Sequence, residues 1–227
     1  MNKIKSIRTS FIGSQGNLLD ARLDLPSDES KAFIIFSHCF TCTKDILTTY
    51  RSSRFLAQKG YAVLRFDFSG LGASTGDFSN CNFTTMIEDI NAAIRYLTDH
   101  YTAPTVLIGH SLGGTGSLAA AIENDSIKKV ITIASPSQPS HVLHHFGHAL
   151  TLLEQNIPSS FEVAGEFYDI NPQFVDDVRS WDMQVQLSRL NKPVLIFKVE
   201  NDKLVSAKDA DEIQQWTQGE TTLINLK

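Results

Sequence analysis

The chain has 227 residues, a formal net charge of −5 at pH 7 and 42% hydrophobic residues, a composition typical of one folded domain rather than a disordered chain. The negative charge and the lack of a basic run give no electrostatic basis for a nucleic-acid partner, and no apolar run is long enough to span a membrane. Because the N-terminal segment lacks the apolar stretch of an export signal, we expect a cytoplasmic protein. In that compartment a disulfide framework among three cysteines is improbable.

Short runs of β-branched and aromatic residues alternate with longer helical stretches, which predicts an α/β fold with a doubly wound, mostly parallel sheet. The chain begins differently, with an antiparallel hairpin predicted over 5–25. The elements expected next are a strand over 31–38, a helix over 48–59, a strand over 61–68, a helix over 84–100, a strand over 103–109, a helix over 111–124 and a strand over 128–136.

This alternation stops after residue 136 and resumes at 191. The segment 137–190 carries short helix-like runs without strands between them, which predicts a small helical lid inserted between two strands of one sheet. The elements expected after it are a strand over 192–202, a helix over 206–217 and a strand over 221–227. We therefore expect a single domain over 1–227, with a core of 1–136 and 191–227 and a lid of 137–190.

The segment Gly109-His110-Ser111-Leu112-Gly113 fits the pattern G-x-S-x-G and stands between a predicted strand and a predicted helix. This context is typical of a nucleophile elbow, a turn so sharp that glycines must flank the serine. The Ser111 hydroxyl would project from the carboxyl edge of the sheet, where the N-terminus of the following helix stabilises a developing oxyanion. The alternative is a glycine-rich turn before a packed helix.

An oxyanion hole needs a second N–H donor from another loop. The segment SHCFTC, Ser37 to Cys42, follows a predicted strand at a suitable place, so we predict the backbone N–H groups of Phe40 and Leu112 as the donors. His38 is a possible general base, but its position favours a structural role beneath this loop.

The chain resembles the α/β-hydrolases, and more closely the hydrolase half of bacterial proteins in which such a domain is fused to an OsmC-type domain. The resemblance rests on SHCFTCTKD, AVLRFDFSGLGASTGDF, NFTTMIEDINAAIRYL and LIGHSLGG, with SPSQPSHV in support. It implies a nucleophilic Ser111, an acid at Asp202 in the loop after VLIFKVE, and two-step acyl transfer on a small-molecule ester or related acyl substrate. No metal or organic cofactor is implied.

In that family a histidine follows the acid in the chain, whereas here no histidine occurs after His148. The resemblance therefore implies that the natural chain continues past Lys227 into the histidine loop and the last helix, with a fused OsmC-type domain as a candidate covalent partner. Four other histidines are clustered at His141, His144, His145 and His148. They could supply a stand-in base, form a metal site, or lie on a helix face turned to solvent or substrate. Their spacing places them on one face of a helix.

Two functions of other classes compete with hydrolysis. Cys39 and Cys42 form a C-x-x-C pair between a strand and a helix, which is typical of thiol redox proteins. A catalytically inactive binding module is the other alternative, motivated by the missing histidine. The glycine-rich segment GLGASTG resembles a dinucleotide fingerprint, but no helix follows it directly, so nucleotide binding is disfavoured.

Overall fold

The computed structural model describes residues 4–227, and its main sheet begins with the predicted hairpin. β1 (Lys5–Ile12) and β2 (Leu18–Leu25) are antiparallel, with Phe11 opposite Leu19, and a short 3-10 turn at Ser14–Gly16 lies between them. The side chains of Leu19, Ala21 and Leu23 are fully buried, which gives β2 the period of two that a sheet with one core face requires.

The remaining strands of the main sheet run parallel to one another. They are β3 (Phe33–Ser37), β4 (Ala62–Phe66), β5 (Val106–His110), β6 (Lys129–Ile133), β9 (Val194–Val199) and β10 (Thr221–Leu226). The eight strands are ordered β1-β2-β4-β3-β5-β6-β9-β10, and β2 joins β4 in antiparallel fashion. The chain therefore builds the mostly parallel sheet that the sequence predicts.

Helices cover both faces of this sheet. They are α1 (Leu47–Gln58) on one face and α2 (Phe83–His100), α3 (Leu112–Ile122) and α7 (Ala207–Trp216) on the other. Successive side chains of β3 point to opposite faces of the sheet and contribute to the hydrophobic core on each face. Ile34 and Phe36 pack on the α1 side, whereas Ile35 packs on the opposite side. This arrangement confirms a doubly wound α/β fold. Within residues 4–227, none of the helices combines the length and hydropathy that a membrane span requires.

The chain between β6 and β9 forms the predicted insertion, and these two strands are neighbours in the sheet. Its elements are a 3-10 helix at Pro139–His145, α4 (His148–Glu154), β7 (Ser159–Val163), β8 (Glu166–Ile170), α5 (Gln173–Ser180) and α6 (Met183–Leu187). The prediction that the insertion lacks strands is wrong, because β7 and β8 pair as an antiparallel hairpin. Ala164 and Gly165, both with positive φ (54° and 87°), form the two-residue turn that such a hairpin favours.

A buried ion pair fixes the loops at the carboxyl edge of the sheet. The Asp67 carboxylate accepts hydrogen bonds from the backbone N–H of Lys44 (2.7 Å), its Nζ (2.6 Å) and the backbone N–H of Ala73 (2.9 Å). Lys44 lies in the segment after β3, and Ala73 in the glycine-rich segment after β4. Lys44 Nζ also pairs with Asp20 Oδ2 (2.7 Å), and the hydrogen bonds that Asp67 accepts from both segments hold the two loops together.

Candidate active site

Ser111 lies at a sharp turn between β5 and α3. Its backbone has φ 53° and ψ −130°, a region that residues with side chains rarely adopt and that is found where the surrounding structure forces it. A Cβ atom at Gly109 would lie 2.3 Å from the carbonyl oxygen of Gly113, and one at Gly113 would lie 2.2 Å from that of His38. Glycine is therefore needed on both sides of the serine, as the pattern G-x-S-x-G predicts.

The loop after β3 lies against this turn. Phe40 from that loop, together with Ser111 and Leu112, lines a small cavity of about 30 Å³. Leu112 is the first residue of α3, so its N–H has no acceptor within the helix. The two residues that the sequence nominates as oxyanion donors thus line one cavity with Ser111.

His38 is fully buried at the end of β3, beneath this loop. Its ring nitrogens are both engaged: Nδ1 donates to the carbonyl oxygen of Cys39 (2.8 Å), and Nε2 accepts from the backbone N–H of Phe68 (3.3 Å). Burial lowers the pKa of His38 to about 4, so the ring is neutral at pH 7. These contacts leave no ring nitrogen for proton transfer and tie the loops after β3 and β4 together.

Asp202 lies in the loop after β9 and faces the same cleft as Ser111. Its Oδ1 accepts hydrogen bonds from the backbone N–H groups of Leu204 (2.8 Å) and Val205 (3.1 Å). Its Oδ2 has no hydrogen-bond partner among residues 4–227 and is available to accept one. The carboxylate is thus anchored through one oxygen and open through the other.

Ser111 and Asp202 line a common cleft of about 410 Å³. His110 also lines it; burial lowers the pKa of this histidine, and its Nδ1 is buried without a partner among the described residues. The insertion contributes His145, which belongs to the histidine cluster that the sequence singles out, and Tyr168, which the sequence does not indicate. The only signal for Tyr168 is the density of aromatic residues in the insertion, which gives no position.

The four clustered histidines do not share one helix face, so that prediction is wrong. His141, His144 and His145 belong to the 3-10 helix, whereas His148 begins α4 after Gly147, whose φ of 49° ends the first helix. A 3-10 helix has three residues per turn, so His141 and His144 lie one above the other, with 4.7 Å between ring centroids, whereas the four- and seven-residue spacings of an α-helix do not align side chains here. Among residues 4–227 no group of three or more His, Cys, Asp or Glu side chains is placed to hold a metal ion.

Two of these histidines contact the site. His141 Nε2 is hydrogen-bonded to the carbonyl oxygen of Leu204 (2.7 Å), in the loop that holds Asp202. His145 stacks on the Phe40 ring, with 6.3 Å between centroids, and burial lowers its pKa to about 4. All seven histidines lie within residues 4–227, and none of them is hydrogen-bonded to the side chain of Ser111 or Asp202.

Cys39 and Cys42 form a disulfide, although the composition argues against one. The Cα atoms lie 5.3 Å apart, and the N–H of Cys42 donates to the carbonyl oxygen of Cys39 (3.2 Å), closing a tight turn. Composition and expected compartment are properties of the whole chain, whereas this bond depends on a local turn. Cys81 is free and buried.

Comparison with solved structures places the chain among the α/β-hydrolases. The esterase domain of a Rhodothermus marinus protein is 34% identical, with a TM-score of 0.75 over 98% of this chain and 87% of that domain. Alpha/beta hydrolase domain-containing protein 10 from mouse has a TM-score of 0.77 at 20% identity, covering 97% of this chain and 89% of that one, and shows the fold alone.

Curated proteins and a family model agree with this fold. The rat (Rattus norvegicus) protein palmitoyl-protein thioesterase ABHD10, mitochondrial, is 31% identical over 127 residues, which cover 52% of this chain and 41% of the relative. The chain thus spans about half or less of the length of the curated relatives it matches. The model of the hydrolase family described as "Serine aminopeptidase, S33" matches residues 28–166, more than half of the chain. The chain belongs to this family of hydrolases.

Proposed function

We propose that this chain is a serine hydrolase of carboxylic esters or related acyl compounds, with Ser111 as the nucleophile. The observation that carries the proposal is the position of Ser111 at the turn between β5 and α3, in one cleft with the carboxylate of Asp202. Membership of a hydrolase family and similarity to an esterase domain and a thioesterase support it. Esters, thioesters and peptides share an acyl carbonyl that a serine can attack.

The proposed reaction proceeds in two steps. The Ser111 hydroxyl attacks the acyl carbonyl, and the N–H groups of Phe40 and Leu112 stabilise the negative charge that develops on its oxygen. The leaving group departs with a proton, and water then releases the acid from the acyl-enzyme. Asp202, held through Oδ1, offers Oδ2 to the histidine that this mechanism requires as its base.

The insertion supplies much of the substrate cleft, which supports its role as a lid. The cleft that Ser111 lines is also lined by Val163, Ala164 and Glu166 at the β7–β8 turn and by His145 from the 3-10 helix. The Phe40 ring packs against Phe146, Phe161 and Phe174 of the same segment. We infer that residues 137–190 set the preference for an apolar acyl substrate, since aromatic side chains bury large apolar area.

Hydrolysis rates of the full-length protein on a panel of p-nitrophenyl esters, acyl thioesters and amino-acid anilides test this proposal. Ser111→Ala is expected to lower kcat by about 10³-fold or more, because a catalytic triad without its nucleophile retains only the contribution of the oxyanion hole and binding. Ser126→Ala, in the loop after α3 and away from the cleft, is the matched control and is expected to behave as wild type. Equal hydrolysis by Ser111→Ala and wild type would contradict the proposal.

A binding module is the second candidate function. It is favoured by the absence, within residues 4–227, of a histidine hydrogen-bonded to Ser111 or Asp202, because a serine without a base is a weak nucleophile. The same panel separates the two candidates: a binding module retains affinity for an acyl ligand in calorimetry but turns over none of the substrates. Turnover that depends on Ser111 excludes it.

A further inference from the structure

The residue proposed as an oxyanion donor stands inside a disulfide ring. Cys39 and Cys42 are joined through sulfur and also through a backbone hydrogen bond, so Phe40 and Thr41 form the tip of a closed four-residue turn. The direction of the Phe40 N–H is therefore determined by the conformation of this ring. A chain closed at both ends has far fewer conformations than an open loop.

The ring holds a backbone conformation that its sequence disfavours. Thr41 has φ 56°, and a β-branched residue with positive φ is a steric outlier that persists only where its surroundings enforce it. Two contacts outside the ring add to this enforcement. His38 donates to the carbonyl oxygen of Cys39 from below, and the Tyr168 hydroxyl donates to that of Thr41 (3.1 Å) from the insertion.

The disulfide is also within reach of small molecules. Both cysteines are half-buried and line the 410 Å³ cleft together with Ser111, so a thiol that enters the cleft can contact the sulfur atoms. The third cysteine differs, because Cys81 is buried and burial raises its pKa to about 12, which keeps it as an unreactive thiol. A response to reductant therefore reports on the Cys39–Cys42 pair.

We propose that the Cys39–Cys42 disulfide is a positioning element of the oxyanion hole, and that its reduction by a dithiol lowers the rate of hydrolysis. In this step the dithiol gives two electrons and two protons: the Cys39–Cys42 bond breaks to two thiols while the dithiol closes to its own disulfide. Thr41 is then free to leave the positive-φ region, and the Phe40 N–H turns away from the acyl oxygen. This inference rests on the proposed hydrolase function.

The test compares oxidised and dithiothreitol-treated full-length protein on a p-nitrophenyl ester, with complete reduction verified by alkylation of two additional cysteines. Loss of one oxyanion donor costs about 10²–10³-fold in kcat, so a misdirected donor is expected to lower kcat by about tenfold or more. KM is expected to stay within about twofold, because the donor acts on charge that develops in the transition state. Removing the reductant and reoxidising the same sample should restore kcat, which excludes loss of folded protein as the cause.

Two variants complete the test. Cys39→Ser/Cys42→Ser is expected to show the reduced kcat of treated wild type and no further response to dithiothreitol, whereas Cys81→Ser should respond as wild type does. The inference is overturned if fully reduced wild type and the double variant keep the kcat of the oxidised protein. Absence of hydrolysis in oxidised wild type would instead overturn the proposed function, and the positioning role with it.

Discussion

Replacing Gly113 with alanine is expected to destabilise the fold at the nucleophile turn. A Cβ atom there would lie 2.2 Å from the carbonyl oxygen of His38 and 2.6 Å from that of Ser37, and real Cβ atoms essentially never approach closer than 3.0 Å. Both contacts are with backbone at the end of β3, so no side-chain rotation relieves them. The start of α3 and the end of β3 must separate by about 0.8 Å, the difference between 3.0 Å and 2.2 Å.

The size of the effect follows from two opposing contributions. Forcing an extra carbon into a packed site costs roughly 1–3 kcal/mol, and the higher helix propensity of alanine offsets at most about 1 kcal/mol of it. Taking the middle of the cost range, about 2 kcal/mol, and an offset of up to about 1 kcal/mol, we expect the free energy of unfolding to fall by about 1–2 kcal/mol. For a domain of this size that corresponds to a decrease in Tm of roughly 2–8 °C.

Gly116→Ala, one turn further along α3, is the matched control for this measurement. Its Cβ would meet Ile90 Cδ1 at 3.3 Å and Met86 Cε at 3.5 Å, both at the ends of side chains that can yield. Scanning calorimetry of the two variants should show a lower Tm for Gly113→Ala and an unchanged or slightly higher one for Gly116→Ala. A Tm of Gly113→Ala equal to that of wild type would contradict the close packing of the turn against β3.

The remaining predictions concern His38 and Asp202. Burial lowers the pKa of His38 from 6.5 to about 4, so the unfolded chain takes up a proton before the folded one does. The contribution of His38 to the free energy of unfolding should be constant above pH 6.5 and decrease as the pH falls from 6.5 to 4. The decrease is up to about 1.4 kcal/mol per pH unit. Urea denaturation over this pH range should show that the unfolding free energy of His38→Gln changes less steeply with pH than that of wild type. An equal pH dependence would contradict the buried neutral ring. Asp202→Asn keeps an oxygen for the N–H groups of its own loop, so we expect normal stability with kcat lowered about 10³–10⁴-fold; wild-type kcat would rule out Asp202 as the acid.

Local signals account for most of what the sequence predicts correctly. The hairpin at the N-terminus, the strand before Ser111 and the helix after it follow from period-two and helical spacing over short windows. The glycines at 109 and 113 predict the turn because a side chain at either position collides with backbone, as the 2.3 Å and 2.2 Å distances show. Each of these inferences needs only residues close together in the chain.

Prediction and structure differ where charged residues mask a local pattern or where a contact is long-range. The β7–β8 hairpin lies in SSFEVAGEFYDI, where the Ala164-Gly165 turn joins two short alternating runs whose charged residues weaken the apolar alternation. Gly147 was a visible break in the row of histidines. The contact of Tyr168 with Thr41, 127 residues earlier, has no signature in either segment.

Some predictions from the sequence stay predictions. These are the relation to fused OsmC-type proteins and the cytoplasmic location; the curated relatives are named as mitochondrial.

Covalent labelling of the full-length protein with a fluorophosphonate, followed by peptide mapping, tests the central claim most directly. The account predicts one phosphonate adduct, on Ser111, that is lost in Ser111→Ala and retained in Ser126→Ala. An adduct on another residue, or ester hydrolysis without any adduct on Ser111, would contradict it.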